Sequence, residues 1–283
     1  ASDVYKRQIN TLPKKSIHPR KIAVVGGGAA GMEAAREAVE CGHSVELFEK
    51  SSLLGGELNA AGAHAFKQEI HQLRDWYIAE LKEKNVCIHM ETEFTPEMAD
   101  SGKFDTVILA VGASPIMPKS ISGIEKAISA VELLEKHADI GENVVVVGGG
   151  MVGCETAVDL SKSGKKVTIV EALPSILSSE YVTTAHKMML NDMIDDQKIT
   201  VMTGHKIVAV TDEGAVVEPT EGGEPITVKA DKVVMSIGLK PNKSMAYDLV
   251  GKNVEIYEIG SARRAGNVIN AIHDAFNVVY NFD

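Results

Sequence analysis

The fold is decided by the stretch Lys21-Ile-Ala-Val-Val-Gly-Gly-Gly-Ala-Ala-Gly31 and by a second stretch that repeats its pattern. The second, Asn143-Val-Val-Val-Val-Gly-Gly-Gly-Met-Val-Gly153, lies 122 residues further along the chain. Each begins with an apolar run typical of a buried parallel strand and leads into a Gly-x-Gly-x-x-Gly turn and a helical pattern. In both copies a Glu follows the first glycine by 23 residues, at Glu49 and at Glu171. The chain therefore contains an internal repeat of a strand–turn–helix–strand unit.

The spacing of the three glycines and the acid fits the binding of a dinucleotide. The first glycine permits a tight turn, the second lets the backbone approach a diphosphate, and the third lets the helix pack closely on the strand. The helix N-terminus offers backbone N–H groups and the positive end of its dipole to the diphosphate. The acid after the next strand accepts hydrogen bonds from ribose hydroxyls. The alternative interpretation is a pair of tight strand–helix turns that hold no ligand.

Length, charge and cysteine spacing narrow the class of protein. A chain of 283 residues favours two domains. Its 39 acidic against 29 basic residues give a net charge of −10, which argues against a nucleic-acid partner and against an anionic membrane surface. No apolar run approaches the roughly 20 residues that span a bilayer. Cys41, Cys87 and Cys154 form no redox-pair or metal-binding motif, so each is expected to be a small core residue in a reducing, cytoplasmic compartment.

Further motifs stand outside the glycine repeat. They are Leu54-Gly-Gly-Glu-Leu58, Leu109-Ala-Val-Gly-Ala113, Ser236-Ile-Gly238, Ile256-Tyr-Glu-Ile-Gly-Ser-Ala-Arg-Arg264 and Gly266-Asn-Val-Ile-Asn-Ala-Ile272. With them, residues 21–282 resemble the C-terminal FAD/NAD(P)H module of flavoproteins such as 2,4-dienoyl-CoA reductase, enoate reductase and trimethylamine dehydrogenase. The polar residues 1–20 are expected to be a linker or a non-native tail, which suggests that the chain was cut from something longer.

The resemblance implies an α/β fold with two Rossmann-like nucleotide-binding domains, the NAD domain being inserted into the FAD domain. The FAD-binding domain would comprise residues 21–115 and 252–283, and the NAD(H)-binding domain residues 116–251. The first glycine turn would then bind FAD and the second a nicotinamide dinucleotide. A helix that begins near Asn267 would direct its N-terminus at the flavin pyrimidine ring, where it stabilises negative charge.

The resemblance also implies a set of cofactor-binding residues on each domain. On the FAD side they are Gly26, Gly28, Ala29, Ala30, Gly31, Glu49, Lys50, Gly56, Glu57, Leu58, Ala110, Gly112, Gly260, Ser261, Asn267 and Val268. On the NAD(H) side they are Gly148, Gly150, Met151, Val152, Gly153, Glu155, Glu171 and Gly238. For Glu155 the alternative is an acid that faces solvent, or one near the helix N-terminus that only favours the helix dipole. No catalytic side chain and no metal site are predicted, because the cofactors carry the chemistry.

The chain departs from the family pattern in two ways. Ser261 stands where the family usually has an Asp that binds a ribityl hydroxyl, although a Ser hydroxyl still donates and accepts. The relatives also carry an N-terminal barrel with FMN and a four-cysteine iron–sulfur site, and three scattered cysteines cannot supply that cluster. FMN and the cluster are therefore expected only in a missing N-terminal part.

The residues after the second turn favour NADH over NADPH as the donor. Glu171 suits a free ribose 2′-hydroxyl and repels a 2′-phosphate. The three residues that follow it, Ala172, Leu173 and Pro174, offer no cation. Elsewhere, His64 is expected to be an exposed loop residue rather than a neighbour of the flavin, and Met188, Met189 and Met193 are expected to fill the core.

The predicted function is an FAD-dependent NAD(P)H oxidoreductase module. It would pass a hydride from NADH C4 to flavin N5 and then electrons to a missing barrel domain or a separate acceptor protein. Two alternatives stay open. One is a non-catalytic support module whose first site holds only ADP or a similar nucleotide, and the other is a free-standing NADH:acceptor reductase.

Overall fold

The structure is a computed structural model, and it describes residues 14–136, 138–179 and 182–282. Of the segment 1–20 that is predicted to be a linker or tail, residues 1–13 lie outside the described residues. The strands are β1 Lys21–Val25, β2 Ser44–Phe48, β3 Cys87–His89, β4 Thr106–Leu109, β5 Ala113–Pro115, β6 Ile128–Ser129, β7 Asn143–Val147, β8 Lys166–Val170, β9 Thr200–Met202, β10 His205–Thr211, β11 Gly214–Pro219, β12 Ile226–Lys229, β13 Lys232–Met235, β14 Leu239–Pro241 and β15 Glu255–Glu258. The helices are α1 Ala29–Glu40, α2 Glu57–Ala61, α3 Gln68–Glu83, α4 Pro96–Ala99, α5 Ala130–Lys136, α6 Met151–Lys162, α7 Thr184–Asp196 and α8 Val268–Tyr280.

Two parallel five-stranded sheets form the body of the fold, which confirms the α/β class. The first has the strand order β15-β4-β1-β2-β3, and the second has the order β6-β13-β7-β8-β9. In the first, Val24 of β1 is in register with Leu47 of β2 and with Ile108 of β4. Both faces of β1 are buried, which explains why its sequence is an unbroken apolar run. The antiparallel strands β10, β11 and β12 form a third, smaller sheet.

The chain divides into two compact units. Among the described residues, the first unit comprises 14–59, 69–114 and 240–282, and the second comprises 60–68 and 115–239. The first unit is discontinuous because its edge strand β15 pairs with β4 only after the second unit has been completed.

The bounds of the units differ from the predicted ones at two segments and at Pro115, which belongs to the second unit. Residues 240–251 belong to the first unit, since Asn242 Nδ2 donates to Val111 O at 2.7 Å and Leu249 packs in the apolar cluster that contains Leu109. Residues 60–68 belong to the second unit, where Lys67 pairs with an acid of α6. The unit to which each segment belongs depends on contacts of individual side chains, and the hydrophobic periodicity of the sequence does not predict such contacts.

Each unit has its own core. In the first, residues of β1, β2 and β4 such as Ile22 and Leu47 pack with α1 and α8. In the second, Val144, Val146 and Ile169 pack with α6 and α7. No helix in the described ranges combines the length and the apolar character needed to cross a bilayer.

Candidate dinucleotide-binding sites

The first glycine turn joins β1 to α1, and two of its glycines are required by close packing. A Cβ on Gly26, whose φ is +106°, would lie 2.4 Å from the Ala110 carbonyl oxygen. A Cβ on Gly31 would lie 1.8 Å from the Gly26 carbonyl oxygen. These contacts hold α1 against the ends of β1 and β4, so the first and third glycines serve the turn itself.

The middle glycine of the motif, Gly28, has a different environment. Its φ of −79° and ψ of −174° are open to any residue, and no described atom lies within 4 Å of the position a Cβ would take. Gly28 is the N-cap of α1, and among the described residues no side chain caps this helix and no acid stands in its first turn. The positive end of the helix therefore has open space beside Gly28, an arrangement that fits a diphosphate.

Glu49 lies beside the same turn. Its Oε2 accepts a hydrogen bond from Gly27 N at 2.7 Å, and its Oε1 accepts one from Ser51 N at 2.7 Å. The carboxylate is thereby fixed between the turn and the loop after β2. The neighbouring Lys50 is exposed.

The second glycine turn, between β7 and α6, repeats this geometry. Cβ atoms on Gly148 and Gly153 would lie 2.2 Å and 1.9 Å from the carbonyl oxygens of Ser236 and Gly148. Gly150 is again an extended N-cap with no described atom near its Cβ position, and no side chain of the described residues caps α6. Glu171 Oε2 accepts from Gly149 N at 2.6 Å.

The first residues of α6 and the end of β13 complete this second surface. Met151 and Val152 open α6, and Val152 is exposed. Gly238 follows β13 with a φ of +109° and is exposed as well. All the residues predicted for the NAD(H) side belong to one unit. At the glycine turn, Gly150 and Val152 are exposed, whereas Gly148 and Gly153 are buried.

On the first unit, two distant loops meet the start of α1. A Cβ on Gly56 would lie 3.1 Å from Gly28 Cα, and a Cβ on Gly260 would lie 2.7 Å from Ala30 Cβ. Leu58 is buried in the apolar core of this unit. The structure thus brings segments more than 200 residues apart in sequence to the same glycine turn.

Glu57 carries an unsatisfied oxygen at this place. Its Oε1 is buried, and no described residue donates a hydrogen bond to it. Its Oε2 accepts from Ser261 Oγ at 3.5 Å, a long contact. Burial raises the pKa of Glu57 above its ordinary value, and this outweighs the contacts with the Ala113 backbone and Ser261, which lower it. A hydroxyl donor on a bound ligand would satisfy Oε1, so these residues fit the ribityl chain of FAD.

We expect the substitution Glu57→Gln to stabilise the cofactor-free protein at neutral pH. Because the folded-state pKa of Glu57 is raised, the folded protein holds this proton to a higher pH than the unfolded chain does. The free energy of unfolding therefore decreases as the pH rises from the pKa of Glu57 in the unfolded chain to its pKa in the folded protein. The Gln variant should melt at a higher temperature than the parent at pH 7 and show no such advantage below the unfolded pKa. An equal gain at both pH values would show that the charge is not the cause.

The helix α8 begins at its predicted place. Asn267 is its N-cap, and the Asn267 side chain accepts from Asn270 N at 2.9 Å while Asn270 Oδ1 accepts from Asn267 N. No acid lies in the first turn among the described residues, and the partly buried Val268 packs against the core. Gly112, with a φ of +71°, has no described atom within 4 Å of its Cβ position.

Glu155 has partners that sequence reasoning missed. Its side chain is only 1% exposed, so it is not an acid that faces solvent. Lys67 Nζ lies 2.6 Å from Glu155 Oε1, and His186 Nε2 lies 3.8 Å from the same oxygen. Lys67 stands 88 residues earlier in the chain, in a segment without periodicity, so no sequence signal pairs the two.

His64 lies in the same segment as Lys67. The prediction that it is an exposed loop residue is wrong, because it is 1% exposed. Its ring stacks on Phe66 with the centroids 5.3 Å apart, and its Nδ1 lies 3.5 Å from Asp159 Oδ2. The segment thus approaches α6 at Glu155 and at Asp159, which are one turn of helix apart.

We expect Lys67→Met to lower the free energy of unfolding by about 2–3 kcal/mol. Removing one partner of a buried ion pair leaves the other charge uncompensated, which costs about 3–5 kcal/mol in a dry interior. The expected cost is smaller here because a fifth of the Lys67 side chain is exposed and His186 also faces Glu155. Chemical denaturation measures the loss. The double variant Lys67→Met, Glu155→Gln should recover most of it, and a double variant as unstable as the single one would contradict the charge argument.

Two predictions about apolar residues are wrong. Cys87 is exposed rather than in the core, because β3 is the edge strand of the first sheet. Met188 and Met189 are 62% and 42% exposed, whereas Met193 packs against the core of the second unit. The two exposed methionines lie on the outer side of α7, and the buried residues of that helix are Leu190 and Ile194.

Two parallel-sheet units, each with its own glycine turn, define the chain as a protein of the double Rossmann class. Residues 20–262 match the family described as pyridine nucleotide-disulphide oxidoreductase. The chain belongs to this family of oxidoreductases, whose members use FAD and a nicotinamide dinucleotide.

Curated relatives are considerably longer than this chain. It is 38% identical to a cinnamate reductase of Clostridium sporogenes, an alignment that covers 95% of this chain and 40% of the relative. It is 36% identical to an NADH oxidase of Thermoanaerobacter brockii, over 92% of this chain and 41% of the relative. The chain thus spans about two fifths of the length of these relatives.

Solved structures show the same fold. A 2-naphthoyl-CoA reductase superposes with a TM-score of 0.87 at 26% identity, over 96% of this chain and 41% of its own. A histamine dehydrogenase from Rhizobium sp. 4-9 superposes with a TM-score of 0.82 at 18% identity, over 95% of this chain and 42% of its own. The predicted resemblance to a module at the end of longer flavoenzymes is therefore confirmed.

Proposed function

We propose that this chain is the FAD- and NADH-binding part of a larger reductase. The observation that carries the proposal is the duplicated glycine turn, in which Gly28 and Gly150 both open onto space beside an uncapped helix N-terminus. A turn that served only to join strand and helix would need its first and third glycines but not an open middle one. The resemblance assigns FAD to the first unit and a nicotinamide dinucleotide to the second, and Glu171 favours NADH as that dinucleotide.

Bound FAD supplies the acceptor for the hydride that NADH donates. The residues of this chain hold the two dinucleotides and set their electrostatic environment. Glu49 and Glu171 accept from ribose hydroxyls while they brace the glycine turns, and the N-termini of α1 and α6 offer N–H groups to the diphosphates. Glu57 and Ser261 together offer a carboxylate and a hydroxyl to the ribityl chain. The N-terminus of α8 favours negative charge on the pyrimidine ring.

The longer relatives suggest what the whole protein does. The names cinnamate reductase and 2-naphthoyl-CoA reductase describe enzymes that reduce unsaturated carbon skeletons. We propose a reductase of this kind, in which a barrel domain with FMN and an iron–sulfur cluster precedes this part or a separate protein accepts the electrons. A cytoplasmic location suits cysteines that form no motif for pairing.

The identity of the first cofactor tests the proposal. Purified protein, reconstituted with FAD and freed of excess by gel filtration, is denatured, and the released nucleotide is identified by chromatography. The expected result is one FAD per chain. Release of ADP alone, with no uptake of FAD, would contradict the proposal and favour the non-catalytic support module.

We expect kcat/KM for NADH to exceed that for NADPH by at least about tenfold, or about 1.4 kcal/mol. Glu171 is held at the ribose position by Gly149 N and by Leu173 N at 2.8 Å, and a 2′-phosphate would meet its negative charge. Steady-state rates with an artificial acceptor give the ratio. Glu171→Gln should lower the ratio of kcat/KM for NADH to that for NADPH. Glu49→Gln, the matched change at the first turn, should leave this ratio unchanged. Equal use of both donors by the parent protein would refute the assignment.

A further inference from the structure

Three side chains with metal-binding groups lie together on the outer strands of the first unit. In the parallel pair β2 and β3, Glu46 is in register with Cys87, and Phe48 is in register with His89. Because alternate residues of a strand share a face, Glu46, Cys87 and His89 project on the same side of the sheet. The His89 ring is stacked on Phe48 with the centroids 4.5 Å apart, which fixes the ring plane.

The ligand atoms of these residues converge on one point. His89 Nε2 lies 2.7 Å from Glu46 Oε2 and 3.5 Å from Cys87 Sγ, and the three ligand atoms lie within 4.8 Å of one another. Both neighbours contact the same ring nitrogen. A nucleophilic triad would need the two different nitrogens of the imidazole, one for the thiol and one for the carboxylate. The arrangement therefore suits a shared metal ion better than a proton relay.

We propose that Glu46, Cys87 and His89 bind a zinc-class divalent cation. In a tetrahedral site with Zn–S of about 2.3 Å and Zn–N of about 2.0–2.1 Å, the sulfur and nitrogen ligands are about 3.6 Å apart. The observed Cys87–His89 separation of 3.5 Å matches this edge. The corresponding nitrogen–oxygen edge is about 3.3 Å. The His89–Glu46 hydrogen bond of 2.7 Å would therefore open slightly as the ion replaces the shared proton.

The ligand set determines the kind of ion. Thiolate and imidazole ligands favour zinc and related transition metals, whereas magnesium and calcium require oxygen ligands. Cys87 loses its thiol proton to solvent on binding, and His89 binds as the neutral ring through Nε2, with its proton on Nδ1. Since Cys87 is exposed, a water molecule can occupy the fourth position.

Lys103 competes with the ion for Glu46. Its Nζ lies 2.7 Å from Glu46 Oε1 and 2.8 Å from Oε2. The Lys103 side chain is more than half exposed, so it can move into solvent when the ion binds. The proposal is independent of the dinucleotide sites, because all four residues belong to the outer strands or loops of the first unit and none is predicted to contact a cofactor.

Titration of the full chain with Co²⁺ under reducing, anaerobic conditions tests the proposal. The expected result is one equivalent of Co²⁺ with a thiolate-to-metal charge-transfer band and with the visible bands of a tetrahedral ion, read as a difference spectrum. One equivalent of Zn²⁺ should abolish these bands, and an excess of Mg²⁺ should not. Cys41 and Cys154 are buried, so neither can supply an accessible thiolate.

Single substitutions identify the ligands. Cys87→Ser should remove the charge-transfer band, and both it and His89→Gln should lower affinity at least about tenfold, since loss of even an outer-shell partner costs about 10- to 100-fold. Lys103→Met should raise affinity by at most about fivefold, the value of an exposed ion pair. His18→Gln, at an exposed histidine outside the cluster, is the matched control and should change nothing.

Two results would overturn the proposal. One is a parent protein without the thiolate–Co²⁺ band, and the other is a band and an affinity that persist in both Cys87→Ser and His89→Gln. Circular dichroism checks that each variant is folded. If Cys87→Ser unfolds, the metal affinity of His89→Gln alone tests the proposal. This substitution removes the proposed imidazole ligand and leaves the backbone of β3 unchanged.

Discussion

The variant Gly28→Val is expected to fold and to lose FAD. Gly28 has an extended conformation that valine adopts readily, and no described atom lies within 4 Å of its Cβ position. The added methyl groups would occupy the space that a diphosphate needs for contact with the backbone. Forcing such groups into a packed contact costs about 1–3 kcal/mol, and FAD affinity should fall by about 10- to 100-fold. Quenching of flavin fluorescence during titration of the cofactor-free protein measures this loss.

The stability of this variant separates loss of the ligand from loss of the fold. Replacing an N-cap glycine with an apolar residue costs no more than about 1 kcal/mol, so the cofactor-free variant should melt close to the parent. Gly31 would not serve for this test, because its Cβ would lie 1.8 Å from the Gly26 carbonyl oxygen and would disrupt the turn itself. A Gly28→Val protein that binds FAD as tightly as the parent would show that no diphosphate lies at this turn.

The matched variant Gly150→Val is expected to keep FAD and to lose NADH. Gly150 occupies the equivalent position in the second unit, with a φ of −73° and no described atom within 4 Å of its Cβ position. By the same packing cost the dissociation constant for NADH should rise by about 10- to 100-fold. The FAD content per chain should equal that of the parent, because the first unit is unchanged. Anaerobic stopped-flow measurement of flavin bleaching over a range of NADH concentrations gives the affinity.

Together the two variants form a reciprocal control. Each carries the same substitution at the same position of the repeat, so a general effect on folding should appear in both. The assignment of FAD to the first unit and NADH to the second predicts opposite losses. If Gly150→Val lost FAD while Gly28→Val kept it, the two dinucleotides would have to be exchanged between the units.

The features that could be predicted from sequence are those set by local backbone chemistry. Gly26, Gly31, Gly148 and Gly153 are required by contacts within a few residues or with the adjacent strand, and the pattern of apolar runs specifies two parallel sheets. The Glu49 and Glu171 carboxylates lie beside their turns because the strands that carry them pair in register with β1 and β7. These features occur twice in the sequence because both units contain the same strand–turn–helix–strand arrangement.

What sequence reasoning missed depends on contacts between distant segments. Lys67 pairs with Glu155, and Asn242 bonds to the backbone of Val111, although neither pair shares a motif. Burial of His64 follows from its contact with Phe66 and Asp159, not from its polar loop sequence. Cys87 is exposed because β3 is an edge strand, and strand order is a property of the whole sheet.

The most direct test of the central claim is the absorbance spectrum of the FAD-loaded protein before and after anaerobic addition of NADH. We predict flavin bands that bleach when NADH is added, which requires both dinucleotides to bind and hydride transfer to occur. Flavin bands that do not change on addition of NADH would contradict the assignment of the second unit. A colourless protein that cannot take up FAD would contradict the assignment of the first.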